Sequence, residues 1–444
     1  MYTLVQRKKS ERDFSSLGSF FLIQVDRFLS PLLDHLDARI DKRLVRTFFD
    51  VFVSILRFRN RSFGLVLSQL GAYVLNPRQA PAGTKRVSNL LRSPKWSQRD
   101  IEEFQLKRAQ KRVAELDAKG EAVLMLWDDS VVEKPESWYS EGLCSVPSSK
   151  GQRLTRIKTG YYNPPKARIC VPGFDWSAVI VTTLNAVPSV CMMRWWSTRG
   201  KHITDRKSVF IQMLKVLRQT FTQAIIHVLD RGYASIDIIR RLIDYQQFFI
   251  LRWDKRFLLR NENGLCLNAG RHGANTPAAA SRVIYDAQRK KYRRVNVCFL
   301  RVFLPKYDDP LTLVVYKDSQ KAQEPLFILT NCPVQTKAQA WKIVFSYMRR
   351  WAIEQTFRFN KSELALESPR LWYWDNRQKI MAIVSLVYEF LLSIIKNWKS
   401  MAQIAINRWC PRTGKRQLET QLPLYRLRIA LEFILNDFVA QNSG

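Results

Sequence analysis

Three carboxylates occupy positions from which they could do chemistry together. Asp128 lies near the end of the apolar run AVLMLWDD and Asp230 ends the run AIIHVLD, and each run has the length of a buried β-strand. Glu354 lies in YMRRWAIEQTFRFNK, which has the apolar spacing of a helix. Acids at the carboxyl ends of neighbouring strands can converge with a third acid on a packed helix. Such acids repel one another unless divalent cations lie between them, so the pattern predicts a site for Mg²⁺ or Mn²⁺, with a pair of ions acting on a phosphodiester.

The segment around Glu354 also carries cations. On one continuous helix, Tyr347, Arg350, Glu354 and Lys361 fall within a strip roughly 60° wide. Because the shoulders of the strip are apolar, we expect a mostly buried helix that is polar only where it faces an anion. An alternative is that Arg350 and Glu354 form an ordinary i,i+4 ion pair on an exposed helix.

The charge of the chain indicates its partner. Its 444 residues include 72 Lys and Arg against 38 Asp and Glu, which gives a net charge of +34, and 46% of the residues are hydrophobic. The chain can therefore bury a core, and its excess charge favours a polyanion as partner. We expect nucleic acid first, and an anionic membrane surface as a distant second.

The cysteines and the longest apolar run bear on compartment. Seven scattered cysteines without a CxxC pair indicate reduced thiols and argue against a zinc site. Ile380–Ile395 is 16 residues long and contains Glu389, so it predicts a buried helix rather than a membrane span. We expect a soluble, cytoplasmic protein without a membrane partner. His227, inside the run before Asp230, is interpreted as a packed core residue.

The elements that must position the acids alternate between strand and helix. Further strands are predicted at Ser177–Leu184 and Ser189–Trp196, helices at Asp205–Phe221 and Tyr233–Tyr245, and a strand from Phe248. The strand from Phe248 and the turn after Asp230 deliver the basic residues Arg231, Arg252, Lys255 and Arg256. Residues 256–335 lose helix signals and predict a β-rich insertion, with a basic run on a hairpin: Arg289, Lys290, Lys291, Arg293 and Arg294.

The two ends of the chain read as helical. Residues 1–118 predict a helical DNA-binding domain, in which a helix opened by Ser62 (Ser62–Val74), a turn and a second helix (Thr84–Leu91) would present Lys85 and Arg86 to DNA. Residues 119–365 would form the catalytic domain around the insertion. Residues 366–444 predict a C-terminal helical region that could serve dimerisation.

These motifs together resemble the DDE transposases of bacterial insertion sequences. Asp128 in WDDS, Asp230 in LDRGY and the spacing Tyr347-x2-Arg350-x3-Glu354-x6-Lys361 resemble the group with a Y-R-E-K signature and a β-strand insertion before the Glu. The resemblance spans roughly residues 122–365. It implies an α/β fold with a ribonuclease H-like core, and cut-and-paste DNA transposition by a homodimer on two transposon ends, in the bacterial cytoplasm at the nucleoid.

The resemblance also assigns roles to residues. Asp128, Asp230 and Glu354 would be the catalytic acids and the ligands of two Mg²⁺ ions, with Mn²⁺ as a substitute, while Tyr347, Arg350 and Lys361 would contact phosphates of the terminal strand. Asp129 is a rival for Asp128, which is preferred because Ser130 follows it by two residues, as the family pattern requires.

The resemblance leaves one step and one function class open. The group typically frees its element through DNA hairpins, with a Trp of the insertion receiving a flipped base, but no Trp lies between Trp253 and Trp341. Tyr285, Tyr292 or Trp253 would have to substitute, or the hairpin step is absent. The alternative function is a catalytically inactive DNA-binding protein derived from a transposase. A basic membrane-surface protein is a third hypothesis.

Overall fold

The computed structural model describes residues 2–137, 139–151, 156–165, 168–286, 291–318, 324–410 and 423–442. The fold is mixed α/β. In these ranges twelve strands join one sheet: β1 (Val123–Glu133), β2 (Cys144–Pro147), β3 (Cys170–Thr182), β4 (Ser189–Trp196), β5 (Ile225–Leu229), β6 (Phe248–Arg252), β7 (Leu258–Asn261), β8 (Cys266–Asn268), β9 (Ala280–Asp286), β10 (Lys291–Phe303), β11 (Leu311–Asp318) and β12 (Leu326–Thr330).

Helices flank this sheet and form most of the two ends of the chain. They are α1 (Tyr2–Asp37), α2 (Lys42–Arg57), α3 (Leu67–Val74), α4 (Ala80–Arg92), α5 (Gln98–Asp117), α6 (Arg206–Thr220), α7 (Ile236–Asp244), α8 (Ala269–Asn275), α9 (Lys337–Met348), α10 (Trp351–Ser362), α11 (Trp374–Asn397), α12 (Lys399–Trp409) and α13 (Leu424–Asn442). We call α1–α5 with α11–α13 the helical layer, because these helices pack on one another.

The part of the sheet that carries the acids has mixed strand directions. The order runs β4-β3-β1-β5-β6, in which β3 is antiparallel to both β4 and β1, while β1, β5 and β6 are parallel. The sheet continues from β6 through β12, β11, β10 and β7 to β8. The parallel strands end at a common edge.

Alternating side chains of β1 enter two different cores. Leu124 and Leu126 join the core shared with α10 and the helical layer, whereas Met125 and Trp127 join the core shared with α6 and α7. Since successive side chains of a strand point to opposite faces of a sheet, even-numbered residues of β1 face α10 and odd-numbered residues face α6.

The prediction that β1 stops at its acids was wrong. β1 pairs with β5 only as far as Leu126 opposite Val228, but its pairing with β3 continues to Glu133 opposite Gly173. Asp128 therefore lies inside a strand, at the point where the partner on one side has ended. The antiparallel neighbour β3 is longer than predicted and supplies the continuing backbone bonds.

The prediction of one continuous helix from Tyr347 to Lys361 was also wrong. α9 ends at Met348 and α10 begins at Trp351. Tyr347 thus lies in the last turn of α9, Arg350 in the junction, and Glu354 and Lys361 in α10. The chain keeps helical dihedral angles through Arg349 and Arg350, so the two helices are joined without a long loop.

The helix pair α3 and α4 begins later in the chain than predicted. Asn60 accepts backbone hydrogen bonds from Ser62 and Phe63, which holds a turn where the helix was expected to open, and α3 begins at Leu67. α3 and α4 cross closely: a Cβ on Gly83 would lie 2.1 Å from the carbonyl oxygen of Gly71.

The insertion between β6 and α9 contains β7–β12 and the short helix α8, which the sequence did not predict. β9 and β10 form the predicted hairpin. Within the predicted basic run, Arg293 is buried and donates to Asp318 at 2.6 Å. Arg289 and Lys290 lie outside the described residues.

α11 is the one described helix that is long and apolar enough to cross a membrane. Its most apolar 18-residue window is 94% buried inside the protein, as in a core helix. Length and composition alone are weak evidence for a span.

Candidate active site

Asp128 and Asp230 meet at the common edge of β1 and β5. Asp230 follows the last residue of β5, and the β1–β5 register, continued by two residues, places Asp128 level with it. Both acids have the parity of Leu126 and Val228, which face α10. Neighbouring strands are about 4.8 Å apart, so the two carboxyl groups are close neighbours on one face.

The environment of Asp128 opposes its negative charge. Burial raises the pKa of Asp128 to about 7, and the charges of Asp230 and Asp129 act in the same direction. Arg350 and the backbone N–H of Asp129 lower it again in part. A buried carboxylate beside other carboxylates is stabilised by an added cation.

Arg350 connects the first acid to the third. Its guanidinium donates from Nη1 to Asp128 Oδ2 at 2.8 Å and from Nη2 to Glu354 Oε1. The alternative of an ordinary i,i+4 ion pair between Arg350 and Glu354 is therefore met in part, since that pair is present. Arg350 also pairs with Asp128 on β1, whereas an ion pair that only stabilises an exposed helix has both partners on that helix.

Tyr347 contacts the second acid. Its buried hydroxyl donates to Asp230 Oδ1 at 3.3 Å. Burial raises the pKa of Tyr347, and the negative charge of Asp230 adds to that rise. Tyr347 and Arg350 together thus contact all three predicted acids, from the end of α9 and the junction that follows.

Asp128 and its rival Asp129 point to opposite faces of the sheet. Asp129 has the parity of Trp127 and faces α6, where Arg206 Nε donates to it at 2.5 Å. Ser177 Oγ donates to its other oxygen at 2.5 Å. Asp129 faces away from α10. Of these two adjacent acids, Asp128 is therefore the one on the side of the sheet where α10 carries Glu354.

Lys361 lies apart from the three acids. Its ammonium is 3.7 Å from Glu367 Oε1, and Lys150 contacts the other oxygen of Glu367 at 2.5 Å. Burial lowers the pKa of Lys361, and Glu367 opposes that change. No local pattern pointed to Glu367, because its pairing partners lie on other elements.

Four predicted DNA-binding residues line one cavity beside Asp230. Arg231, Arg252, Lys255 and Arg256 surround a space of about 320 Å³. Two acids share it: Arg256 Nε donates to Asp254 at 2.9 Å, and Lys255 lies 3.1 Å from Glu324. The structure therefore brings these four cations together, partly neutralised by their own neighbours.

Lys85 and Arg86 are exposed on α4, which packs against α2, α3 and α11. They belong to the helical layer. The structure does not bring them into the group formed by the acids, Tyr347 and Arg350.

The arrangement and the chemistry of the three acids show how well they would fit a divalent cation. In the described ranges, no group of three or more His, Cys, Asp or Glu is arranged to hold a metal. The donor chemistry nevertheless fits, because carboxylate oxygens suit Mg²⁺ and Mn²⁺, and the buried Asp128, whose pKa burial raises to about 7, would be stabilised by a nearby positive charge. Arg350 supplies that charge to Asp128 and Glu354 as the side chains stand.

Comparison with known proteins points to one domain family. Residues 200–390 match the family model described as the transposase DDE domain. The matched range contains Asp230, Tyr347, Arg350, Glu354 and Lys361, but not Asp128. The match supports a DDE transposase, a class of DNA-cleaving and strand-transferring enzymes that generally uses divalent metal ions.

The other two comparisons add little. No curated protein matches the chain. Among solved structures, the cryo-EM structure of a piggyBac transposase synaptic complex with hairpin DNA is similar over 91% of this chain and 73% of that one, at 10% identity and a TM-score of 0.43.

Proposed function

We propose that this protein is a DDE transposase that performs cut-and-paste transposition. It would hydrolyse the phosphodiester at the ends of its element and then use the freed 3′-hydroxyl to attack target DNA. The observation that carries the proposal is that Arg350 pairs with both Asp128 and Glu354 while Tyr347, three residues before Arg350, donates to Asp230. The family match to residues 200–390 is independent support.

The strand arrangement supports a ribonuclease H-like core. Three antiparallel strands, β4-β3-β1, followed by β5 and β6 parallel to β1, have the order and directions expected of that core. We propose a catalytic domain over residues 119–365 with the insertion at 256–335. A DNA-binding domain over residues 1–118 and a C-terminal region over residues 366–444 complete the proposed organisation.

Asp128, Asp230 and Glu354 are the residues that would hold Mg²⁺ or Mn²⁺, in the proposal as two ions. When bound, such ions supply an activated water and stabilise the leaving oxygen of a phosphodiester. Arg350 would release Asp128 and Glu354 in that state. Its guanidinium would then be free to hold a phosphate oxygen with paired hydrogen bonds, for which arginine is well suited.

The basic residues extend the proposed DNA surface away from the acids. Tyr347, Arg350 and Lys361 would contact the cleaved strand. Arg231, Arg252, Lys255 and Arg256 line the cavity beside Asp230, and Lys85 and Arg86 would contact duplex DNA from the helical layer.

The net charge of +34 fits a double-stranded DNA partner. We further propose a homodimer on two element ends, in the cytoplasm of a bacterium, at its nucleoid.

Exposure separates the candidates for receiving a flipped base. Trp253 is only 4% exposed and is packed edge-on against Phe257, so its ring faces are largely occupied. Tyr285 and Tyr292 are 55% and 73% exposed, and their ring centroids lie 5.3 Å apart across the β9–β10 hairpin. If excision uses hairpins, we propose this tyrosine pair as the stacking surface, since stacking on aromatic rings tolerates any base.

One observation favours the alternative of an inactive DNA-binding protein. Arg350 already neutralises two of the three acids, and no three-acid metal group stands ready in the described residues. A chain that kept the acids only as structure would show the same contacts. That protein would bind DNA without cutting it.

The test is a cleavage assay on DNA taken from the borders of the coding region. We expect wild-type protein to nick the element ends in Mg²⁺, leaving a 3′-hydroxyl, and to stop when EDTA removes the metal. The matched variant Asp230→Asn should bind the same DNA without nicking it. Binding by the wild type without nicking would favour the alternative, and nicking by Asp230→Asn would contradict the proposed site.

A further inference from the structure

The turn that follows Asp230 does not hold the Asp230 carboxylate by a hydrogen bond of its own. Arg231–Tyr233 form one turn of 3₁₀ helix, and the side chain of Asp230 makes no capping hydrogen bond to it. The position of the Asp230 carboxyl group therefore depends on the hydrogen bond from Tyr347 and on how the turn is held from outside. Tyr233, at its end, is buried.

Arg206 holds this turn from the opposite face of the sheet. It is the first residue of α6, and Asp205 caps that helix by accepting from the backbone N–H of Ser208 at 3.0 Å. Arg206 Nη1 donates to the carbonyl oxygen of Gly232 at 2.7 Å. Its guanidinium carbon also lies 4.2 Å from the ring centroid of Tyr233.

The same guanidinium holds the residue after the first acid. Arg206 Nε donates to Asp129 Oδ2 at 2.5 Å, and Ser177 Oγ donates to Asp129 Oδ1 at 2.5 Å. Trp196 Nε1 in turn donates to Ser177 Oγ at 2.9 Å, so strands β3 and β4 fix Asp129 from their side. Asp129 is thereby held from two sides, by Arg206 and by Ser177.

Gly232 is needed for this approach. A Cβ at that position would lie 2.7 Å from Arg206 Nη2 and 2.8 Å from Nη1. Both distances are too short for van der Waals contact, so a side chain here would push the guanidinium away from the turn.

We infer that Arg206 is a positioning residue that sets the separation of Asp128 and Asp230 by joining Asp129 to Gly232. The inference rests on the proposed function, in which Asp128 and Asp230 hold metal ions. Mg²⁺ requires near-ideal ligand geometry, and functional side chains must be held within about 0.5 Å of their productive places. A rigid guanidinium with two fixed acceptors suits that role better than a flexible ammonium.

A purely structural salt bridge predicts something different. Arg206 is 41% exposed and Asp129 18%, and ion pairs in contact with that much solvent contribute little to stability. If the pair only stabilised the fold, its loss would move the melting temperature slightly and nothing else. A positioning role predicts a loss of metal affinity that is out of proportion to the loss of stability.

The test compares Arg206→Met and Arg206→Lys with the neighbouring control Lys207→Met. Lys207 lies on the same helix and pairs with Asp237, where both side chains are exposed and outside the site. Mn²⁺ binding to the full-length protein is followed by electron paramagnetic resonance, with melting temperature measured in parallel. We expect Arg206→Met to weaken Mn²⁺ binding about tenfold and Arg206→Lys less, while melting temperatures stay within a few degrees of Lys207→Met.

A second substitution shows whether Arg206 acts through Asp129. In an Asp129→Asn background, Arg206→Met should add little further loss of Mn²⁺ affinity, because the link it breaks is already weakened. Additive losses would overturn the proposed path.

Each remaining outcome has a distinct meaning. Wild-type and Arg206→Met proteins with equal Mn²⁺ affinity would overturn the positioning role and leave the proposed function standing. A wild-type protein that neither binds Mn²⁺ nor cleaves DNA would overturn the proposed function, and this inference with it.

Discussion

The acid site and the helical layer both bury charged side chains, but they satisfy them differently. In the helical layer, Lys379 donates to the backbone carbonyl oxygens of Leu91 and Ser93 at 2.9 and 2.6 Å. Glu389 accepts from Ser189 Oγ at 2.7 Å and from the backbone N–H of Val190 at 2.6 Å. These partners belong largely to the backbone and cannot move without unfolding the protein.

In the acid site the partners are side chains that can rotate away. Asp128 and Glu354 share Arg350, and Asp230 accepts from Tyr347. Outside the acid site, Lys361 has a side-chain partner of the same kind in Glu367. Burying a charge costs free energy wherever it occurs, so both regions need compensation. The difference indicates which buried charges serve the fold and which are available to a metal ion or a phosphate.

The largest effect on stability should come from breaking a fixed partner set. Glu389→Leu leaves the Ser189 hydroxyl, the Val190 N–H and the nearby Arg108 without their acceptor. We expect the free energy of unfolding to fall by about 4 kcal/mol, measured by urea denaturation.

The control is Glu115→Leu, which removes a half-exposed acid from pairs with Arg112 and Lys396 in the same layer and should cost less than about 1 kcal/mol. Equal losses would erase the distinction between fixed and exchangeable partners.

The second effect concerns His227, a fixed group three residues before Asp230. Trp127 Nε1 donates to its Nδ1 at 2.9 Å, and burial lowers the pKa of His227 to about 4. Between pH 6.5 and 4 the unfolded chain therefore binds a proton that the folded protein does not. Stability should fall by up to about 3 kcal/mol as the pH drops through that window.

Thermal unfolding at pH 4 to 8 measures this contribution. His227→Gln should flatten the fall in stability between pH 6.5 and 4, whereas the exposed His202→Gln should leave it unchanged. An unchanged slope in His227→Gln would mean that His227 is not held as a neutral core residue.

The smallest effect tests an exchangeable partner. Lys361→Met should weaken binding to end-containing DNA about fivefold and reduce the slope of log affinity against log salt by about 0.9, because one phosphate contact is lost. Lys396→Met removes a partly exposed lysine that pairs with Glu115 in the helical layer. Fluorescence anisotropy at several salt concentrations compares the two, and similar losses would show that Lys361 contributes only general charge.

Local patterns predicted the elements that carry the acids, because strand runs and helix spacing are local properties. The bounds of β4 were predicted in full, and those of α6 to within one residue at each end. The end of β1 could not be predicted, since its extension past Asp128 depends on a partner 50 residues away. The break between α9 and α10 was also hidden, because Arg349 and Arg350 keep helical dihedral angles while the chain turns.

The candidate site shows the same limit. The types and rough positions of Asp128, Asp230 and Glu354 could be chosen from sequence, and strand parity separates Asp128 from Asp129 once the strand is known to continue. Arg206 was missed because its contacts with Asp129 and Gly232 span 77 and 26 residues. The burial of Arg293 was missed because its partner Asp318 lies on the next strand.

The most direct test of the central claim is the rate of end cleavage by wild-type protein and by Glu354→Gln in Mg²⁺, with DNA affinity measured on the same samples. Glu354→Gln keeps the size of the side chain and can still accept from Arg350, but it removes the negative charge that a metal ion would need. The account predicts a loss of at least about 10³-fold in rate with DNA affinity within about threefold of wild type. Cleavage by Glu354→Gln at a rate close to that of the wild type would contradict it.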